Sequence, residues 1–328
     1  MVFAALKQIG KRVAIHANYR LSRYQDVIWL VGDGRSGTTW VSNVVNWHGR
    51  HREMFEPFHP ALIEELKAAK LHQYLRPNDV TNELSSALFA IFSGQFYHPR
   101  PDALNRRLSY QGLLVKDIFA NLLIGWVNQN IPHVKKVLII RNPFAVALSK
   151  QKRVRGIWMK EPNDFLTQPE LVEDYLAPFQ TQIRGISSDF IERQLLIWAI
   201  IHYVPLQQIK SKQIKQNDIY ILFYEDFFRE PERESKKLFS YLFGSAPGEM
   251  NDQLLAKIAN PSHSPGKDSN IIIGKSPVDA WRGELSSVQI DRGLQLLEEF
   301  GLGDLYGTAA TPNKAALHNY LGFSTDSL

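Results

Sequence analysis

The sequence contains no cysteine among its 328 residues. Disulfide bonds, thiolate nucleophiles and cysteine-ligated zinc are therefore excluded, and a reducing compartment is compatible with the composition. No stretch reaches the roughly 18 uninterrupted apolar residues that a transmembrane helix needs. The N-terminus also lacks the compact apolar region and small-residue cleavage site of a secretory signal. With 44% hydrophobic and 22% charged residues, the chain has the composition of a globular protein, and we expect it to be cytoplasmic.

Excess positive charge is confined to the N-terminus. Five basic residues precede the first acid, Asp26, and the other 33 basic residues balance the 33 acidic ones. This leader, residues 1–25, also carries an apolar stripe at helical spacing, formed by Val2, Leu6, Ile9 and Val13. We predict a basic helix over 1–25 that either contacts an anionic membrane peripherally or docks on its own domain.

Apolar, β-rich runs alternate with helical segments along the rest of the chain. This alternation predicts an α/β fold, a P-loop-type central parallel sheet flanked by helices in a single large domain. We place that domain at residues 26–307 and a polar tail at 308–328. Predicted strands cover 27–32, 112–116, 136–140 and 218–224. Predicted helices lie at 61–70, 83–92, near 119–128, and at 189–210, 232–243 and 288–300.

A glycine-rich loop, GDGRSGTTW, follows the first predicted strand and opens a helix. Amides at such a position converge on phosphate groups. Compared with the pattern G-x-x-x-x-G-K-[ST], the lysine position holds Thr38, and the cation comes three residues earlier as Arg35. The strand 136–140 ends in Arg141 and not in a magnesium-binding acid, which disfavours a P-loop kinase and predicts that no metal is required.

Arg141, Asn142 and Pro143 predict a second anion site. Pro143 at the first helical position with Asn142 as N-cap starts a helix, so we expect its free amides to point where Arg141 points. Ser149 lies a little over two turns later and faces roughly the same side. Two anion sites on adjacent strand ends predict a ligand with two separated phosphates.

These paired motifs resemble the sulfotransferase superfamily, which transfers a sulfuryl group from 3'-phosphoadenosine 5'-phosphosulfate (PAPS). The family's 5'-phosphosulfate loop is similar to GRSGTTW, and its 3'-phosphate motif to RNPFAVALS at 141–149. YEDF at 224–227 and the C-terminal W-R-x-x-L and FGLGDLYG segments match its general pattern. The resemblance spans about 27–307 and implies PAPS as donor and 3'-phosphoadenosine 5'-phosphate (PAP) as product.

Within the superfamily, the motifs are similar to the carbohydrate and tyrosyl-protein branch. MFEPFHP resembles a segment whose glutamate is the proposed base in that branch, which here is Glu56. A carboxylate partly shielded between Phe55 and Phe58 can remove a proton from an acceptor hydroxyl. Two rival bases are His51 and His59.

The same resemblance implies the remaining site residues. Arg35 and Lys116 would stabilise charge at the transferring group, and Trp40 and Tyr224 match positions that contact adenine. In the loop 261–281, Ser264, Lys267 and Lys275 are candidates for closing over the 3'-phosphate. The implied donor-binding residues are Gly34, Arg35, Ser36, Gly37, Thr38, Thr39, Trp40, Arg141, Ser149, Tyr224, Ser264 and Lys267.

The acceptor is less constrained. A basic run of Lys150, Lys152, Arg153 and Arg155 would suit a polyanionic polysaccharide, or it completes a helix dipole. We expect a carbohydrate hydroxyl; a natural-product, peptide or lipid hydroxyl, a P-loop kinase and a non-catalytic nucleotide-binding protein are the alternatives. Nucleic acid is not expected, because the basic residues are not interleaved with an RNA-binding signature. The sequence leaves the oligomeric state open.

Overall fold

A five-stranded parallel sheet forms the centre of the computed structural model. The structure describes residues 2–21, 24–60, 63–67, 69–80, 83–153, 156–246, 250–260 and 276–322, with the backbone alone for 2–7 and 65. Its strands are β1 Asp26–Gly32, β2 His51–Phe55, β3 Gly112–Asp117, β4 Lys135–Ile140 and β5 Ile219–Phe223. They lie in the order β2-β3-β1-β4-β5, and every pair is parallel. The predicted α/β class and the four predicted strands are confirmed, and all strands end at one edge.

Helices cover both faces of this sheet. Trp29 and Val31 of β1 join one buried cluster, and Ile28 and Leu30 join the other, as expected for a strand buried on both sides. The helices are α1 Val2–Arg20, α2 Thr38–Val45, α3 Glu83–Phe92, α4 Ile124–Asn130, α5 Pro143–Gln151, α6 Pro169–Leu171, α7 Gln180–Arg184, α8 Phe190–Lys210, α9 Tyr224–Arg229, α10 Pro231–Phe243, α11 Asp252–Ala259, α12 Ser287–Glu299, α13 Gly303–Tyr306 and α14 Lys314–Leu321. Predicted helices at 83–92, 189–210, 232–243 and 288–300 are confirmed.

Strand β2 was missed because its sequence, HREMF, begins with charged and polar residues. The structure buries these residues, and a segment around residues 102–105 supplies partners for Arg52 and for the Glu53 backbone. Arg52 forms a two-point ion pair with Asp102 at 2.8 and 2.9 Å, and both side chains are fully buried. The Asn105 side chain bonds both the amide and the carbonyl of Glu53. The edge strand is thus closed off by residues about fifty positions away.

Two further predictions differ from the structure. The predicted helix at 61–70 is wrong, because among its described residues only Glu64–Leu66 make a 3-10 turn. Ile63 and Leu66 instead insert into the core, so their spacing serves packing. In the predicted polar tail, residues 314–321 form α14, whose Leu317 and Leu321 are buried. Among the described residues, no helix is long and apolar enough to span a bilayer.

Candidate active site

Residues 33–37 connect β1 to α2 through a turn that needs left-handed backbone. Arg35 has φ 73° and Gly37 has φ 91°, a region that glycine enters without steric cost. A Cβ on Gly37 would also lie 2.5 Å from the Tyr224 ring. The Asp33 carbonyl accepts from the amide of Ser36 at 3.1 Å and from its hydroxyl at 2.7 Å. No side chain caps α2, so its first amides are available to an anion.

A buried ion pair supports this loop from beneath. Lys150 Nζ lies 2.7 Å from both carboxylate oxygens of Asp33 and 3.0 Å from Gln194 Oε1. Both charged side chains are 2% exposed. Lys152 pairs with Glu284. Of the basic run considered for a polyanionic acceptor or a helix dipole, Lys150 is therefore not available to an acceptor, because it is buried against Asp33. Arg155 lies outside the described residues.

The two predicted anion motifs meet in space. Arg35 Nε donates to Ser149 Oγ at 3.0 Å, and Arg141 Nη1 donates to the Arg35 carbonyl at 2.6 Å. Burial, with the nearby positive charges of Arg141 and Arg153, lowers the pKa of Arg35 to about 10. Arg141 is 8% exposed, and its Nε is buried without a hydrogen-bond partner. The arrangement concentrates positive charge that an anion would neutralise.

The amides at the start of α5 do not contribute as predicted. The Asn142 side chain accepts from the amides of Phe144 at 3.0 Å and Ala145 at 3.2 Å, and Pro143 has no N–H. Asn142 N itself donates to Glu225 Oε1 at 2.8 Å. The prediction of free amides beside Arg141 is wrong, because the N-cap side chain satisfies them.

A cross-linked set of buried groups fixes the backbone at Arg141. Trp198 Nε1 of α8 donates to the Arg141 carbonyl at 3.0 Å. The Tyr306 hydroxyl donates to the second oxygen of Glu225 at 2.9 Å. Burial raises the pKa of Glu225 to about 7. The YEDF segment and the C-terminal FGLGDLYG segment are thus joined through one carboxyl group.

At the other side of the loop, the predicted base and a predicted cation form an ion pair. Lys116 Nζ lies 2.6 Å from Glu56 Oε1 and 4.1 Å from the centre of the Phe55 ring. Lys116 is 2% exposed and Glu56 is 16% exposed. Glu56 follows β2, has φ 53° and donates its amide to the Lys116 carbonyl at 2.7 Å. The sequence predicted a carboxylate partly shielded between Phe55 and Phe58; the structure adds an ion pair with Lys116 that is open to solvent on one side.

Asp117 anchors the chain beside Glu56. Its two carboxylate oxygens accept from the amides of Phe58 at 2.9 Å and Phe119 at 2.7 Å. Burial raises the pKa of Asp117 to about 7, although both amides oppose this shift. The side chain is fully buried. Asp117 therefore positions the turn that carries Glu56.

The rival bases differ in position. His51 begins β2 and lies beside Gly112, at the opposite end of the sheet from Glu56. Burial lowers its pKa to about 4, and its prediction as a base is wrong. His59 lies three residues after Glu56, is 1% exposed and packs edge-on against Phe119 at 4.7 Å.

Trp40 and Tyr224 are close together and buried. Their ring centres lie 5.9 Å apart, and the two residues are 2% and 3% exposed. Trp40 Nε1 lies 3.2 Å from the carbonyls of Lys257 and Ile258, while the Arg141 guanidinium lies 4.2 Å above the Tyr224 ring. Tyr224 therefore contacts both anion motifs. The predicted phosphate-closing residues Ser264, Lys267 and Lys275 lie outside the described residues.

The strand order arranges the candidate groups in one row. Glu56 follows β2, Lys116 lies in β3, residues 33–37 follow β1, Arg141 follows β4 and Tyr224 follows β5. This row runs along the carboxyl edge, where open parallel sheets bind ligands. Among the described residues no group of three or more histidine or carboxylate side chains could hold a metal ion.

The sulfotransferase domain model matches residues 25–261, so the chain belongs to this family of enzymes that transfer sulfuryl groups. No curated protein sequence matches it significantly. The fold is similar to the sulfotransferase domain of a Synechococcus olefin synthase, at 18% identity over 85% of this chain and 95% of that chain with a TM-score of 0.41. It is also similar to a mouse sulfotransferase solved with PAP, at 14% identity, 90% and 89% coverage and a TM-score of 0.41.

Three positioning residues were missed from the sequence. Lys150 stands beside the noted Ser149, Asp117 beside Lys116, and Glu225 beside Tyr224. Their adjacency to candidate residues was the available signal. Their partners, Asp33, the Phe58 amide and the Asn142 amide, come from other strand ends, which only the folded chain brings together.

Proposed function

We propose that this protein is a PAPS-dependent sulfotransferase acting on an acceptor hydroxyl, with a carbohydrate as the first candidate. The observation that supports this proposal best is the row of groups along the sheet edge. It offers a carboxylate at one end, a cluster of cations in the middle and an aromatic pair at the other. A nucleotide with two anionic groups and an adjacent acceptor matches that order.

The residues present fit the donor. Arg141 has a buried N–H without a partner, and Arg35 lies among like charges; both features favour a bound anion. In this proposal residues 34–39 hold the 5'-phosphosulfate, Arg141 and Ser149 hold the 3'-phosphate, and Trp40 and Tyr224 border the adenine. Ser264 and Lys267 would close over the 3'-phosphate.

Glu56 acts as the base in the proposed reaction. It accepts the acceptor hydroxyl's proton while the acceptor oxygen bonds to sulfur and the bond from sulfur to the bridging phosphate oxygen breaks. The electron pair of that bond stays on the phosphate, and PAP leaves. Lys116 orients the carboxylate through their 2.6 Å contact, and Lys116 and Arg35 stabilise negative charge on the bridging and equatorial oxygens. Such a positioned base contributes about 10²- to 10⁴-fold to the rate.

Calorimetry with PAP, AMP and ATP, with and without Mg²⁺, tests the donor. We expect tight PAP binding that needs no metal, and weak AMP binding because AMP lacks the 3'-phosphate. Preferential binding of Mg-ATP would contradict the proposal and favour the P-loop kinase alternative. Against a kinase, Asp33 is neutralised by Lys150 and Asp117 is occupied by two amides.

The acceptor test is a screen with labelled PAPS, starting with polysaccharides and continuing with small-molecule, peptide and lipid hydroxyls. Transfer to a polysaccharide is the expected result; transfer to another class would keep the donor and change the acceptor. A cytoplasmic location, compatible with the absence of cysteine, is part of the same proposal. No transfer at all despite PAP binding would favour the non-catalytic alternative.

A further inference from the structure

Helix α1 is seated on the domain by one of its faces. Ile15 is 2% exposed, and Asn18 Nδ2 donates to the Leu108 carbonyl at 2.9 Å while Asn18 Oδ1 accepts from Tyr110 N at 3.2 Å. Lys11 Nζ donates to the Asp102 carbonyl. The seat is therefore the segment 97–111, the same segment that covers strand β2.

The opposite face of α1 is open and includes two large apolar side chains. Ile9 is 59% exposed and Val13 is 63% exposed. At 3.6 residues per turn these positions lie on the side of the helix away from Lys11 and Ile15. Ile9 and Val13, the two described residues of the stripe noted in the sequence, thus do not form the contact with the domain.

Exposed apolar residues are concentrated around this helix. Nine large hydrophobic side chains are exposed in the described part of the chain, and five of them belong to residues 8–21 or to the seat. Leu108, at 78%, is the most exposed of all. The five are Ile9, Val13, Leu21, Leu104 and Leu108. Clusters of this kind mark interaction surfaces.

The charge of the same region has one sign. In residues 8–21 and 97–111 the only acid is Asp102, which is fully buried against Arg52. The exposed charged side chains in these two segments are Arg12, Arg20, Arg100, Arg106 and Arg107. Arginines suit an anionic surface, and leucine, isoleucine and valine suit an apolar layer below it. A surface with both properties matches this combination of side chains.

We propose that α1 and its seat bind the surface of an anionic lipid bilayer, with the arginines at the headgroups and Ile9, Val13, Leu104 and Leu108 inserted among the acyl chains. A polyanion in water would leave the apolar side chains without a partner. A second copy of this face would bring arginines against arginines. The proposal does not depend on the sulfotransferase assignment.

Vesicle sedimentation of the full chain tests it. We expect binding to vesicles of phosphatidylcholine with 30% phosphatidylglycerol and little binding to phosphatidylcholine alone. The double variant Ile9→Asp/Val13→Asp should weaken partitioning about tenfold or more. Val288→Asp is the matched control, because Val288 is 62% exposed on helix α12 and should bind as the unchanged protein does.

A charge reversal provides the second arm. Arg12→Glu/Arg106→Glu should weaken binding by about tenfold or more, whereas Arg229→Glu/Lys236→Glu, with the same change in net charge at exposed positions, should do so far less. The proposal is overturned if neither lipid mixture is bound. It is also overturned if only heparin or nucleic acid is bound, or if light scattering shows a dimer that Ile9→Asp/Val13→Asp abolishes without any vesicle binding.

Discussion

At both ends of the candidate site a buried carboxyl group fixes the backbone, but the two hydrogen-bond networks differ in extent. On the β2-β3 side, Asp117 fixes the turn after Glu56 through two backbone amides. On the β4-β5 side, Glu225 fixes the corner after Arg141 through one amide and the Tyr306 hydroxyl. Each is a fully buried carboxyl group whose pKa is raised to about 7 by burial. Each holds the backbone beside a candidate site residue.

The difference lies in how far each network reaches. Asp117 joins chain segments that flank neighbouring strands β2 and β3. Glu225 joins α9, the start of α5 and α13, while Trp198 of α8 holds the adjoining carbonyl. The Arg141 end is thus cross-linked by distant parts of the chain, and the Glu56 end is held locally. In the proposed reaction, this difference suits a constant donor at the Arg141 end and a carboxylate that exchanges a proton at the Glu56 end.

The largest expected effect is on kcat, at the Glu56 end of the candidate site. Glu56→Gln keeps the shape but removes the proposed base, so kcat should fall about 10²- to 10⁴-fold while PAP affinity should stay unchanged. Transfer rates from labelled PAPS and PAP calorimetry measure the two quantities. Glu64→Gln, at a carboxylate 78% exposed nearby in sequence, is the control. A Glu56→Gln enzyme with nearly full turnover would remove Glu56 from this role.

At the Arg141 end we expect the reverse, a loss of PAP affinity. Arg141→Ala removes a cation that we assign to the 3'-phosphate, so PAP affinity should fall about 10- to 100-fold. AMP affinity should change little. Calorimetry with both nucleotides, alongside the exposed control Arg229→Ala, checks this. Equal losses for PAP and AMP would place Arg141 elsewhere on the nucleotide.

The two buried acids should differ when each is made an amide. Asp117→Asn turns an NH₂ group toward a backbone N–H, which costs about 1–3 kcal/mol for an unsatisfied donor. Glu225→Gln faces a hydroxyl that can rotate to accept, so it should cost less than about 1 kcal/mol. Urea unfolding measures both variants. Equal costs would mean that the two networks are not distinguished by their partners.

Motif-level features were predictable from the sequence because they are local. The run VIWLVG before a glycine-rich loop specifies strand, turn and helix within a few residues, and the order of the two anion motifs indicates their meeting at one sheet edge. The proximity of Arg35 to Ser149 follows from that order. The four predicted strands are mainly buried apolar runs. Short runs of this kind favour a strand in the centre of a sheet.

What could not be predicted depends on long-range pairing. Strand β2 looks polar in the sequence, but Asp102 pairs with Arg52 and Asn105 bonds the Glu53 backbone. The helix predicted at 61–70 has suitable spacing, yet its apolar residues pack into the core from a turn. In the sequence Lys150 resembles part of a basic surface run, but in the structure it is buried in an ion pair with Asp33. In each case a partner remote in sequence decides the outcome.

The pH dependence of the unfolding free energy tests whether the two buried acids behave alike. A carboxyl whose pKa is raised by folding keeps its proton between about pH 4 and pH 7, where the unfolded chain has lost it. The unfolding free energy from this group therefore falls as pH rises through that window. Relative to Asp117→Asn, the unchanged protein should lose about 1–3 kcal/mol between pH 5 and pH 8, and the same sign should hold relative to Glu225→Gln.

Comparing each variant with the unchanged protein isolates this contribution. Burial lowers the pKa of His72 to about 3 and of His202 to about 4, so these histidines reduce stability as pH falls. They do so equally in both proteins of each pair and cancel in the difference. Urea unfolding of the three proteins at pH 5 and pH 8 supplies the six values needed. A flat difference for Asp117 with a falling one for Glu225 would mean that two backbone amides keep a buried carboxylate ionised where one amide and a hydroxyl do not.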